Sequence, residues 1–199
     1  TLSYALVTDP SHGTLVFNSD GSFSYTPAAD YNGPDGFTFQ ASDGSLLSNV
    51  ATVSITINAV NDAPVAAAGT AVGNEDTVIS GNAMATDVDS ATLSYSLVSG
   101  PSHGTLVFNP DGSFSYTPGA DYNGPDSFTL KANDGSLDSN VATVAITVNP
   151  VNDAPLAVAN TAVGNEDTVI SGSAMATDVD SATLSYALVT DPSHGTLVF

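Results

Sequence analysis

The sequence has no cysteine, and Lys131 is its only lysine or arginine. Without cysteine, disulfides, thiolate metal sites and thiol nucleophiles are excluded, and the redox compartment is left open. The 21 acidic residues give a formal net charge of −20. Such a chain repels nucleic acid and anionic membranes, because binding to either depends on Lys and Arg at phosphates. It favours divalent cations as partners.

Long apolar runs are also missing, since no stretch approaches the ~20 residues that span a bilayer. We therefore expect no membrane insertion, although a signal peptide or anchor could lie outside a slice of a longer protein. The single lysine also excludes a general Lys–Asn isopeptide staple, because one repeat has Gln40 where the next has Lys131.

What the chain has is an internal repeat of 91 residues. Residues 1–91 and 92–182 align without a gap and differ at 17 positions, and residues 183–199 are identical to residues 1–17. A fixed period of this length indicates an array of similar domains.

The repeat predicts three modules. We expect residues 1–62 to be the C-terminal part of a first module, 63–153 a complete module, and 154–199 the N-terminal part of a third. Each partial module would expose half a core. We therefore expect its missing strands to come from neighbouring repeats or from other chains.

Within the complete module, turn signals separate about seven short apolar runs. Residues 92–98 alternate apolar and polar side chains, as a half-buried strand does. Asp111-Gly112, between two β-rich runs, predicts a hairpin, and residues 141–148 are rich in β-branched side chains. The pattern predicts an all-β fold of tandem seven-stranded antiparallel β-sandwich modules, cadherin-like or immunoglobulin-like, with a 91-residue repeat.

Acidic residues lie almost entirely in the predicted loops near module ends. Asp87 and Asp89 form one such loop, and Asn152-Asp153 lies in the linker after the last strand. Ca²⁺ takes about 6–8 oxygen ligands, and loop carboxylates with carbonyl oxygens suit it. Either segment could instead be a simple turn, because Asn and Asp are good turn formers.

Four segments carry a resemblance to the cadherins. Ala85–Tyr95 resembles their Asp-x-Asp segment and following strand, and Ala120–Tyr122 the loop with a ligand Asp. Ala132–Gly135 and Val151–Pro155 resemble their Ala-x-Asp-Gly turn and Asn-Asp linker. The whole repeat is similar to the cadherin-like (also VCBS or bacterial Ig-like) tandem repeats of giant, often RTX-type, bacterial surface adhesins. That resemblance implies a secreted or cell-surface stalk rigidified by calcium.

The resemblance also implies two sets of calcium ligands, one at each junction between modules. The second junction would use Glu75, Asp76, Asp121, Asn152, Asp153, Asp178 and Asp180. The first would use Asp30, Asn61, Asp62, Asp87, Asp89 and Asp134.

The linker departs from the cadherin pattern at several positions. At the position of the family's usual leading Asp this chain has Ala59 or Pro150, and Asn123 stands where the family has a Glu after Asp121. We therefore expect fewer or weaker ions at each junction than in vertebrate cadherins.

These features predict a non-enzymatic structural repeat of a long extracellular bacterial adhesin or filament, supporting adhesion, biofilm or matrix formation. Its partners would be neighbouring repeats of the same chain and, in a fibre, other copies. The alternative is a polysaccharide-binding module with Tyr122 as the stacking aromatic. A hydrolase built on His12, His103 and His194 is disfavoured, because no nucleophile, base and oxyanion site come together around them.

Overall fold

A computed structural model describes residues 1–199, and all of its regular elements are β-strands. The chain divides into two compact units. The first comprises residues 1–65, 86–93 and 133–138, and the second comprises residues 66–85, 94–132 and 139–199. Because no helix is present, no helical segment is long and apolar enough to cross a membrane.

Five strands form two small sheets in the first unit: β1 (Ser3–Thr8), β2 (Gly13–Phe17), β3 (Phe23–Pro27), β4 (Gly33–Ser42) and β5 (Ala51–Ile57). Strands β1, β4 and β5 form an antiparallel sheet in that order. Strands β2 and β3 form an antiparallel hairpin. Both β5 and β3 are therefore edge strands, each with one unpaired side.

The complete module contributes nine strands: β6 (Val65–Ala67), β7 (Gly69–Asn74), β8 (Ile79–Asn82), β9 (Met84–Thr86), β10 (Ser94–Ser99), β11 (Gly104–Phe108), β12 (Ser113–Pro118), β13 (Gly124–Asn133) and β14 (Ala142–Asn149). They form a four-stranded sheet ordered β10-β13-β14-β7, a three-stranded sheet ordered β11-β12-β8, and the pair β6-β9. The predicted hairpin is present: Gly112, at φ +86°, donates its N–H to Asn109 O at 3.0 Å.

The two larger sheets bury one hydrophobic core between them. Strand β14 alternates buried and exposed residues along its whole length, and Val144, Ile146 and Val148 point inward. They pack with Phe114 and Tyr116 of β12 and with other apolar side chains of both sheets. Burying a side chain of this size stabilises a fold by about 1.5–3 kcal/mol.

The predicted all-β sandwich is confirmed, with two departures in detail. The first expected strand is interrupted at Ala68, and a short strand that was not expected, β9, follows β8 after Ala83, which yields nine segments. In addition, β7 runs parallel to β14, so the sheet is not wholly antiparallel. The break at Ala68 explains the parallel pairing. Before the break β6 pairs with β9, and after it β7 lies at the edge of the other sheet, beside β14.

In the third repeat only β15 (Leu156–Val158) and β16 (Met175–Thr177) are formed. They pair antiparallel with each other, with Ala157 opposite Ala176, and stand at the positions of β6 and β9 in the repeat. Residues 159–174 form no strand.

Candidate functional site

The linker after β14 is tied to the loop that follows β16. The N–H of Asp153 donates to the Asp180 carboxylate at 2.7 Å. Asp178 in turn accepts the N–H groups of Asp180 and Ser181, at 2.9 and 2.7 Å. Two predicted ligands of the next repeat are thus held beside a predicted ligand of the linker.

Three carboxylates converge at this linker. Single side-chain oxygens of Asp76, Asp121 and Asp153 all lie within 4.8 Å of one another. Oδ2 of Asp153 is buried and has no hydrogen-bond partner. Burial raises the pKa of Asp153, and the negative charges of Asp76, Asp180, Asp121 and Glu75 raise it further. An unpartnered carboxylate oxygen among like charges is costly unless a cation lies beside it.

Two of these aspartates occupy an unusual backbone conformation. Asp76 has φ 58° and Asp121 has φ 57°, in the left-handed region that few residues other than glycine enter. Their counterparts one repeat away, Asp167 and Asp30, adopt the same conformation. The turns that carry the acidic side chains are therefore the same in each repeat, and Asp tolerates this region better than most residues.

Glu75 holds the start of the linker. Its side chain is buried, with 2% of the residue exposed, and its Oε1 accepts the Val151 N–H at 2.6 Å. Its own N–H donates to Asn149 O at 3.0 Å. Asn152, another predicted ligand, instead donates its amide to the Asp153 carbonyl at 2.9 Å. In this arrangement Glu75 and Asn152 position the linker backbone.

The first junction repeats part of this pattern. The N–H of Asp62 donates to Asp89 at 2.8 Å, and Asp87 accepts the N–H groups of Asp89 and Ser90 at 2.8 and 2.7 Å. Oδ2 of Asp87 is buried without a hydrogen-bond partner. Asp30, Asp62 and Asp89 line one cavity of about 300 Å³.

Asp134 plays a different part from the other predicted ligands. Its carboxylate accepts the Leu137 N–H, the Asn61 amide and the Ser136 N–H, which together lower its pKa. The Asn61 contact is 2.6 Å long. Asp134 therefore closes its own turn and ties the first linker to it.

The donor set fits calcium. Carboxylate oxygens from three chain segments converge at the second linker, and one of them lacks any partner. Hard oxygen donors of this kind suit Ca²⁺, whereas soft metals would need the thiolate or imidazole ligands that the cluster lacks.

Asp126 is a buried acidic residue that was not among the site residues predicted from the loops. Its side chain is 3% exposed and accepts hydrogen bonds from three backbone N–H groups, those of Ser102, His103 and Ser127, and from the Tyr116 hydroxyl. Burial acts to raise the pKa of Asp126, but these hydrogen bonds outweigh it and lower the pKa to about 2. Asp35 makes the same contacts in the first unit.

The serine, histidine and aspartate at this place do not form a catalytic triad. Nδ1 of His103 lies 2.9 Å from Ser102 Oγ and 3.9 Å from Asp126 Oδ1. A triad needs the nucleophile and the carboxylate on opposite ring nitrogens, whereas here both approach the same one. The cluster shapes a turn.

Tyr122 is engaged within the module. The His103 ring stacks on it with a centroid distance of 4.3 Å and an interplanar angle of 7°. Its hydroxyl donates to Pro125 O at 2.7 Å. One ring face and the polar tip are thus committed to its own turn, which gives no support to its use as a sugar-stacking platform.

Repeated β-sandwich modules with acidic residues at the linkers define a class of tandem-repeat domains, and comparison with known families agrees with this class. The model of the bacterial cadherin-like domain matches residues 1–59 and 61–150. The chain belongs to this family, which confirms the resemblance given by its loop motifs. As such it is a structural module of the adhesion type, a kind of domain that is typically not an enzyme.

Solved cadherin structures share the fold. Human CDH23 EC21-23 has a TM-score of 0.59 at 17% identity, covering 90% of this chain and 69% of that chain. The protocadherin gammaB7 EC3-6 cis-dimer structure has a TM-score of 0.56 at 20% identity, covering 90% of this chain and 52% of that one.

An endo-fucoidan hydrolase of glycoside hydrolase family 107 also matches, at 26% identity with a TM-score of 0.33. The match covers 75% of this chain but only 24% of the hydrolase. No curated protein sequence matches the chain.

Proposed function

We propose that the chain is a segment of a calcium-stiffened stalk in an extracellular bacterial adhesin or filament. The observation that carries this proposal is the buried, unpartnered Oδ2 of Asp153 in a cluster of like charges. A stalk repeat needs length and defined joints, and its copies need not differ from one another in sequence. The two full 91-residue copies differ at only 17 positions, as expected for such a repeat. The stalk would support cell adhesion, biofilm or matrix formation.

In this proposal the module boundaries are those of the repeat, with residues 63–153 as the complete module. Asp76, Asp121 and Asp153 would hold the ion, and Asp180 and Asp178 of the next repeat would complete the acidic shell. Glu75 and Asn152 would fix the linker backbone. Calcium would supply positive charge where the carboxylates repel one another.

Stiffening would follow from where the ligands come from. Asp76 follows β7, Asp121 precedes β13, Asp153 lies in the linker, and Asp180 lies beyond β16. An ion bound to all of them would join four chain segments, so the linker could no longer vary its dihedral angles independently. Without the ion, a chain of charge −20 repels itself.

Calcium titration of the whole chain tests the proposal. We expect binding by calorimetry in the range below millimolar calcium, a rise in melting temperature, and a longer, narrower particle by small-angle scattering. The double variant Asp178→Ala, Asp180→Ala should bind more weakly and lose the change in particle shape.

The matched control is Asp20→Ala, Asp111→Ala, which removes the same charge from two hairpin turns outside the cluster. It should bind calcium as the unmodified chain does. No binding at millimolar calcium, or equal weakening in both double variants, would contradict a specific site at the linker.

A further inference from the structure

Strand β11 is an edge strand of the complete module and lacks the usual protection of such edges. It pairs with β12 on one side, and no strand pairs with its other side. Edge strands are commonly protected by charged residues, by proline or by a β-bulge. β11 contains neither a charged residue nor a proline, and its register with β12 is unbroken from Gly104 to Phe108. Its free edge is therefore able to accept a further strand.

The free main-chain groups of β11 belong to alternate residues. Asn109, directly after the strand, donates its N–H to Ser113 O on the β12 side at 2.9 Å. Because main-chain groups alternate in direction along an antiparallel strand, the other odd-numbered residues of β11 also bond toward β12. The N–H and C=O groups of the remaining residues face outward, and these residues are Gly104, Leu106 and Phe108.

The three-stranded sheet that contains β11 is uncharged. Its strands, residues 79–82, 104–108 and 113–118, include no Asp, Glu, Lys or Arg, although the chain has a net charge of −20. No such residue lies between Asp89 and Asp111 in the sequence. Two copies of this chain repel each other where their acidic loops meet. At the edge of this sheet they approach without that repulsion, which favours a second copy as the partner.

The same edge recurs in the first unit. Residues 12–18 are identical to residues 103–109. β2 pairs with β3 in the same register as β11 pairs with β12, and the other side of β2 is also unpaired. Val16 and Val107 are equally exposed, at 56%. The free edge is thus a property of the repeat.

We propose that β11 pairs antiparallel with β11, or with the identical β2, of a second copy of this chain. A register centred on Leu106 uses all of the outward-facing residues. It places Leu106 opposite itself and Gly104 opposite Phe108, so each of these pairs exchanges main-chain hydrogen bonds. Thr105 then lies opposite Val107 on the exposed face of the joined sheet, and β-branched pairs of this kind stabilise neighbouring strands.

The contact is isologous, because both copies use the same strand. One chain carries this strand both as β11 and as β2, so each copy has an edge for more than one neighbour and association need not stop at a dimer. The contact joins separate copies and does not depend on calcium binding at the linkers.

Sedimentation of the full chain over a wide concentration range, with calcium chelated, tests the association. We expect the average mass to rise above 19.9 kDa with concentration, and to rise further when added salt screens the acidic loops. Thr105→Glu with Val107→Glu places like charges opposite each other in the paired strands and should leave a monomer. The same double change is made in the other copies of the segment, at Thr14 and Val16 and at Thr196 and Val198.

The matched variant carries Thr105→Lys with Val107→Glu, repeated at the same equivalent positions. Opposite charges now face each other in the proposed register, so this variant should associate at least as strongly as the unmodified chain. Both variants are compared in added salt, which screens the difference in their net charge. A chain that stays monomeric at every concentration overturns the proposal, as does equal association of the two variants.

Introduced cysteines test the register directly, because the chain has none of its own. When Thr105→Cys and Val107→Cys chains are mixed and oxidised, we expect disulfide-linked heterodimers, since directly opposite residues lie within disulfide reach. Ser115→Cys, on the middle strand of the sheet, is the control and should form no cross-link with either. The proposed register is wrong if the mixture cross-links no better than each chain does alone.

Discussion

Replacing Asp126 by alanine is expected to destabilise the complete module by about 3–6 kcal/mol, because each buried partner left unpaired costs about 1–3 kcal/mol. The carboxylate accepts N–H groups of Ser102, His103 and Ser127 and the hydroxyl of the fully buried Tyr116. A loss of that size is comparable with the whole stability of a small domain, about 5–15 kcal/mol.

Amide hydrogen exchange in β14 is a suitable measurement. This strand belongs to the complete module and buries every second residue in its core, so its amides report the stability of that module alone. Asp111→Ala is the control. Asp111 is exposed and accepts only from Ser113, so its loss should cost about 1 kcal/mol or less. Similar exchange rates in Asp126→Ala and Asp111→Ala would contradict the structural role given to Asp126.

The same residue predicts acid sensitivity. The pKa of Asp126 in the fold is about 2, below its ordinary value of 3.8. A lowered pKa means that the stabilisation is fully present above the ordinary value and is lost as the pH falls through about 2. We expect the protection factors of the β14 amides, which correct for the intrinsic pH dependence of exchange, to fall over this interval. In Asp126→Asn, which has no carboxyl group to titrate there, the change should be smaller.

The sequence could have revealed Asp126 through strand parity. Phe128 and Leu130 lie on the buried face of β13, and Asp126 precedes them at the same period of two. An acidic residue on an inward-facing position must find donors. Because most acidic residues lie in loops, the predicted site residues did not include this strand position. The buried Asp126 carboxylate holds the backbone of Ser102 and His103 in a turn.

Some features of the fold could be predicted from the sequence, and others could not, for clear physical reasons. The β-branched side chains of residues 141–148 predicted β14, because such side chains pack well on the pleated surface of a strand. The break at Ala68 and the short strand after Ala83 were not predictable, since small residues at those points carry no turn signal. The parallel pairing of β7 depends on the break at Ala68 and was missed with it.

The ligand sets are a prediction that the fold makes more specific. Resemblance placed Asp76, Asp121 and Asp153 in one set, and their oxygens do lie together. It could not distinguish these from Glu75 and Asn152, whose side chains bond to the linker backbone. That distinction depends on side-chain direction, which loop composition does not encode.

Asp153→Asn is expected to have opposite effects with and without calcium. In the metal-free chain, burial and the neighbouring carboxylates raise the pKa of Asp153 above its ordinary value of 3.8. The protonated form is therefore favoured in the fold, and its stabilisation is lost as the pH rises through the raised pKa. At neutral pH the variant removes one of the repelling charges, so its metal-free melting temperature should be higher than that of the unmodified chain.

With calcium the order should reverse, because the unmodified chain gains stability from the bound ion and the variant lacks a central carboxylate. Melting temperatures measured from pH 3 to about pH 7, in chelator and in millimolar calcium, separate the two effects. Asp20→Asn, a charge-matched change in an exposed hairpin turn, should leave the calcium response intact. The prediction would be contradicted if Asp153→Asn had a lower melting temperature than the unmodified chain in chelator, or if calcium stabilised it as much as it stabilises the unmodified chain. Either result would show that the Asp153 carboxylate does not bind the ion at the linker.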